Sequence, residues 1–191
     1  MSPAAEKVSE FLDEHTAGWK IRQIQELAEV NPRVDKKVIP DDIEVSFVPM
    51  PAVEAESGEI DVSQTKLAKE VKKGFTAFLQ GDVLFAKITP CMENGKMAIV
   101  PALVNGFGFG STEFHVLRPR EDIDAKYLYY YVSSKSFRGE AERFMTGAVG
   151  QKRVSTSMVV VARVRLSPSF SSRQPPPPFL TNAGKPSRDS Q

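Results

Sequence analysis

Hydrophobic residues gather near the centre of this chain in three runs, Val83 to Ile88, Lys96 to Val104 and Phe109 to Leu117, each rich in β-branched or aromatic side chains. Such runs predict three β-strands. Asn94-Gly95 and Asn105-Gly106 are dipeptides that accept positive φ, so each is expected to reverse the chain between neighbouring strands. Between the first two strands, Thr89-Pro90-Cys91-Met92-Glu93-Asn94-Gly95 forms a loop fixed at both ends, with polar groups at its tip. A loop so held can present side chains to a ligand.

Outside this centre the pattern changes several times. Ala4 to His15 places Val8, Phe11, Leu12 and His15 on one helical face, and Gly18 ends the segment. Trp19 to Val30 mixes strand and helix signals, with Trp19 as a core anchor. Asn31 to Asp42 reads as a polar loop punctuated by Pro32 and Pro40, and Ile43 to Met50 as a strand stopped by Pro49 and Pro51. Ala52 to Gln64 is acidic and is expected to be an exposed loop. Thr65 to Lys73 is expected to be a short basic helix, capped by Thr65 and closed by Gly74. Asp124 to Met145 carries the clearest helical spacing, in two groups, Leu128, Tyr131 and Val132, then Phe137, Ala141, Phe144 and Met145. Ser133-Ser134 and Gly139 weaken its middle, so two helices are expected as readily as one. Beyond Leu166 the chain holds four consecutive prolines, many serines and no apolar period, the composition of a disordered tail. The domains read are therefore an N-terminal helix (1–17), a central folded domain (18–166) and the tail (167–191).

Composition narrows the chemistry. At 191 residues with 41% hydrophobic content the chain can bury a core, and it fits one domain with a tail. No apolar run reaches eighteen residues and no charged-then-apolar leader follows Met1, so no membrane partner is expected and the cytoplasm is the default compartment. Cys91 is alone, and His15 and His115 lie far apart, so neither a disulfide nor a metal site is expected. The net charge of +1 conceals a division: residues 1 to 70 hold 8 Lys and Arg against 15 Asp and Glu, residues 71 to 191 hold 17 against 9. The second part can face a polyanion.

Catalytic constellations are wanting. Pro90-Cys91 has the form of a cytosine-methyltransferase nucleophile, but no Gly-rich loop after a strand precedes it to cradle a methyl donor. Asp124-Ala125-Lys126 and Glu70-Val71-Lys72 supply the acid-x-lysine pattern of a metal-dependent nuclease, a pattern common in any charged chain. There is no GxSxG. Binding uses the residues more economically, since cations neutralise phosphates while amides and guanidinium groups pair with base edges. Lys87, Thr89, Asn94 and Lys96 flank one loop. Thr146, Gln151, Lys152 and Arg153 line a second, bent by Gly147 and Gly150.

Four blocks, GDVLFAKITPCMENGK, GFGSTEFHVLRP, YLYYYVSS and MTGAVGQKRVS, together resemble the target recognition domain of a type I restriction-modification specificity subunit, over residues 18 to 166. Trp19 and Leu27 stand where that domain opens. The resemblance implies an α+β fold, a curved and largely antiparallel sheet around residues 43 to 117 with packed helices. It implies recognition of one half of a bipartite site in double-stranded DNA by the eight residues above, without catalysis. Its partners would be a methyltransferase subunit and, through it, a restriction subunit; S-adenosylmethionine, ATP and magnesium would be bound by those, so no cofactor is expected here. The family's long spacer helix has no counterpart after Val164, which suggests a truncated or frame-shifted copy. The alternatives left open are a non-functional remnant and a small metal-dependent nuclease.

Overall fold

A computed structural model describes residues 18–148 and 150–166; the N-terminal helix and the tail expected from the sequence lie outside the described residues. The chain enters through β1 (Lys20–Gln23), one helical turn α1 (Ile24–Leu27) and β2 (Ala28–Val30), which resolves the mixed signals after Trp19. There follow β3 (Glu44–Val48), β4 (Thr65–Leu67), α2 (Ala68–Val71), β5 (Thr76–Phe78), β6 (Val83–Ala86), β7 (Met97–Ile99), β8 (Gly108–Gly110) and β9 (Phe114–Pro119). Three helices, α3 (Ala125–Ser133), α4 (Lys135–Arg143) and α5 (Thr156–Val161), precede the last strand, β10 (Arg163–Leu166).

The α+β class and its largely antiparallel pairing are as expected. The strands divide into two four-stranded sheets, ordered β2-β9-β6-β7 and β4-β3-β8-β5, and a two-stranded ribbon, β1-β10. Only the β3–β8 pair is parallel among the described strands.

The unbroken apolar run at β6 follows from its place in the layers. Val83 and Phe85 point into a core shared with Leu128, Val132, Phe137 and Ala141 of α3 and α4. Leu84 and Ala86 point the other way, into a core with Val48 and Phe78 of the second sheet. All four are fully buried, as a strand covered on both faces requires. A third, smaller cluster packs Val45, Phe47 and Phe109 against Ala68 and Val71 of α2.

Three expectations need correction. Phe109 to Leu117 is not one strand: it breaks at residues 111–113, leaving Phe109 in one sheet and Phe114 to Leu117 in the other. Asn105-Gly106, with φ of 50° and 76°, accordingly turns the chain from one sheet toward the other instead of closing a hairpin. Thr65 does not cap a helix; it lies in β4, its hydroxyl donating to Glu44 Oε1 (3.1 Å), and the helix begins at Ala68. Packing requires the glycines of β8, because a Cβ at Gly108 would come within 2.1 Å of the Phe78 ring and one at Gly110 within 2.3 Å of the Val48 carbonyl. Only a bare backbone threads that gap.

The long helical segment is two helices. Ser134 leaves the helical region (ψ 144°) and its hydroxyl accepts from the Phe137 N–H (3.2 Å), capping α4 as Asp124 caps α3 through the Lys126 N–H (2.8 Å). Helix α5 and β10 have no counterpart among the expected elements; Ser155 caps α5, its hydroxyl accepting from the Met158 N–H (3.2 Å).

Candidate nucleic-acid interface

Two loops that the sequence separates by some sixty residues meet in space. The Thr89 N–H donates to the Lys152 carbonyl (3.0 Å) and the Val154 N–H to the Lys87 carbonyl (2.8 Å), with Ile88 and Arg153 bridged. The first loop folds back on itself through Met92 N–H to Ile88 (3.0 Å) and Asn94 N–H to Pro90 (2.9 Å), and Met92 plugs it into the helix-side core. The second is closed by the pair Thr146 and Arg153, each donating to the other's carbonyl (3.0 and 2.8 Å). Gly147, at φ 133°, permits that closure, since a Cβ there would lie 2.7 Å from the Gln151 carbonyl.

The eight side chains expected at this site divide into two sets. Three are engaged inside the fold. Thr89 Oγ1 donates to Glu93 Oε1 (3.0 Å). Lys96 Nζ donates to the Val53 carbonyl (2.6 Å) and the Met50 carbonyl (3.4 Å), fastening the acidic segment to β7. Arg153 makes a forked pair with Glu113, Nε to Oε2 at 2.9 Å and Nη2 to Oε1 at 2.8 Å, and its Nη1 donates to the Gln151 carbonyl (3.1 Å). Those hydrogen bonds hold the Glu113 carboxyl below its ordinary range and raise the Arg153 guanidinium. The other five, Lys87, Asn94, Thr146, Gln151 and Lys152, have no side-chain hydrogen bond or ion pair among the described residues, and all but the half-buried Lys87 are exposed. Their polar groups are available to a ligand.

Residues the sequence reading passed over hold the platform. Arg138 runs beneath the first loop, donating Nη1 to the Glu93 carbonyl (2.7 Å), with Nη2 3.6 Å from Glu56 Oε1. Gly95 makes room for it, as a Cβ there would be 2.8 Å from Arg138 Nη1. Buried His115 ties β9 to the second loop: Nε2 faces the Val154 carbonyl (2.9 Å) and must donate to it, so Nδ1 accepts from Asn31 Nδ2 (3.1 Å). No local signal marks these pairs, whose partners lie 39 to 84 residues apart.

Burial pushes the His115 pKa down, against the opposing hydrogen bond to Val154, with Lys87 lowering it further and Glu113 raising it. The folded protein therefore keeps this ring neutral while the unfolded chain takes up a proton near pH 6.5, so the contribution is fully present above that pH and is lost as pH falls toward the depressed folded value. The decline from this group has one proton's worth, about 1.4 kcal/mol per pH unit, as its upper bound. Urea titrations between pH 7.5 and 5 check it: His115→Gln should flatten the decline relative to wild type, and parallel curves would refute the assignment.

Among the described residues no helix is long and apolar enough to cross a membrane, and no three His, Cys, Asp or Glu side chains gather as metal ligands. Comparison with known proteins gives a consistent result. The curated relatives include the Type I restriction enzyme EcoAI specificity subunit of Escherichia coli, 46% identical over 138 residues, and the EcoEI specificity subunit of the same organism, 40% identical over 141 residues. The alignments cover 72% and 73% of this chain; the chain spans 23% of the length of either relative. Among solved structures, the fold matches a chain from work on complex assembly and conformational transition of the type I R-M system (TM-score 0.64, 22% identity). It also matches the HsdS subunit from Thermoanaerobacter tengcongensis (TM-score 0.62, 20% identity). Each match covers 80% of this chain and 38% of the other. The family model for the Type I restriction modification DNA specificity domain matches residues 16–163, nearly the whole of the described fold, and the chain belongs to that family.

Proposed function

We propose that this chain is a sequence-specific, non-catalytic DNA-binding module that reads one half of a bipartite duplex target for a type I restriction-modification complex. DNA recognition within such a system is the role of the family to which the chain belongs; the half-site, the absence of catalysis by this chain and the partners are the finer reading. The observation that carries it is the junction of the two loops, which brings Asn94, Gln151 and Lys152, with their side chains uncommitted, onto a platform held by the Arg153–Glu113 and Arg138–Glu93 hydrogen bonds. Amides of this kind pair with adenine in the major groove, and ammonium groups meet phosphates. A methyltransferase subunit, and through it a restriction subunit, would act on the DNA that the module selects.

Selection of bound duplexes from a random pool by the full chain tests this. Enrichment of one short motif is expected, with the DNA left intact in the presence of magnesium. A pool that stayed random would remove the recognition reading, and cleavage by the chain alone would replace it with the nuclease one.

A further inference from the structure

Beside the loop junction lies a groove of about 380 Å³ where the Asn31–Lys36 segment and the start of β5 face β9 and Lys87. Arg33, Lys36 and Lys87 line it, together with the hydroxyl-bearing Thr76 and Thr112, and none of its lining residues is a carboxylate. Lys36 is a fixed charge. Its ammonium donates to the Lys72 carbonyl (2.8 Å) and the Phe75 carbonyl (3.1 Å) and sits 5.5 Å from the centre of the Phe109 ring. Two of its three N–H groups are thereby used, and no acidic side chain neutralises it. Arg33 is exposed and makes no hydrogen bond or ion pair among the described residues. Lys87 belongs to both features, lining the groove while its backbone joins Glu113 to Val154. The nearby Glu113 carboxylate is committed to Arg153.

Three cations around a concavity without a carboxylate form a site for an anion, and one fixed in place by backbone carbonyls loses no conformational freedom when the anion arrives. We infer that this groove seats the phosphodiester backbone of the same duplex that the loops read, with Arg33 and Lys87 as phosphate ligands and Lys36 as a fixed charge behind them. The inference rests on the DNA-recognition reading and extends it: the loops would carry sequence, the groove register and most of the salt dependence.

The test is a competition titration of the full chain against a selected and a scrambled duplex at several salt concentrations. Arg33→Gln combined with Lys87→Gln should weaken both duplexes alike, on the order of tenfold at low salt, leave their ratio unchanged, and reduce the steepness of the log–log salt plot by about 0.9 for each phosphate that is no longer neutralised. Arg33→Lys should keep the wild-type slope. If the double glutamine variant retained wild-type affinity and slope while Asn94→Ala with Gln151→Ala lowered the ratio, the groove would be off the DNA path and the loop reading would stand. Should inorganic phosphate raise the melting temperature of wild type but not of Arg33→Gln, with DNA binding unaltered, the groove would be a free-anion site and the inference overturned. A wild-type chain that bound neither duplex at low salt would overturn the functional reading and this inference together.

Discussion

Replacing Asn94 and Gln151 together by alanine is expected to lower the preference for a selected duplex over a scrambled one by about 30-fold or more, two amide–base pairings at about 1–3 kcal/mol each. Stability should barely move. Both side chains are exposed and uncommitted, whereas the backbones at these positions do the structural work: Asn94 N–H to Pro90, Gln151 N–H to Ala148, and the Gln151 carbonyl accepting from Arg153. Alanine keeps every one of those bonds. The opposite profile is expected where the side chain itself is structural, as at Lys96, whose loss would release the Val53 and Met50 carbonyls. If the loops are plain turns, the double variant will remain folded and bind both duplexes with the wild-type ratio, and that result would end the site assignment.

Much of this organisation was legible along the chain because local chemistry determined it. The continuous apolar run at Val83 to Ala86 announces a strand covered on both sides. Serine and aspartate caps mark where helices begin, and Asp124 to Met145 divides at Ser133-Ser134, where Ser134 is extended and its hydroxyl accepts from the Phe137 N–H. What was not legible depends on distant partners. The polar loop after Val30 shows three cations within five residues, Arg33, Lys36 and Lys37, in an otherwise acidic third of the chain, yet nothing local says that Lys36 is held by carbonyls near β5. Nothing beside Arg153 in the sequence announces its pair with Glu113, forty residues away, whose Oε1 accepts from Nη2 at 2.8 Å. Residues 156 to 161 carry β-branched side chains that favour strand in isolation, and tertiary packing of Met158 and Val159 in the helix-side core overrides that preference.

The largest loss of stability is expected at Asp82, which enters β6 and so positions the strand that leads to Lys87. Its side chain is 1% exposed, accepts from Arg118 Nε and Nη2 at 2.8 Å each, and accepts from the Leu79 N–H at 2.8 Å. Truncation by Asp82→Ala leaves a mostly covered guanidinium without its counter-charge and a backbone donor without an acceptor, a change that costs about 3–5 kcal/mol in buried pairs. Arg118 retains 27% side-chain exposure and can reach water, which places the expected loss toward the lower end. Against a total stability of about 5–15 kcal/mol this is a substantial fraction. Asp82→Asn keeps an acceptor for Leu79 and should lose less. Adding Arg118→Met to Asp82→Ala removes the stranded charge, so the double variant should be more stable than Asp82→Ala alone. Urea unfolding of the four proteins measures all of this, and an unchanged midpoint for Asp82→Ala would mean that the pair does not hold the strand. The functional readout separates this residue from the loop amides: at low urea, where Asp82→Ala remains folded, its ratio between selected and scrambled duplexes should match wild type, because the residue fixes the platform and touches no base.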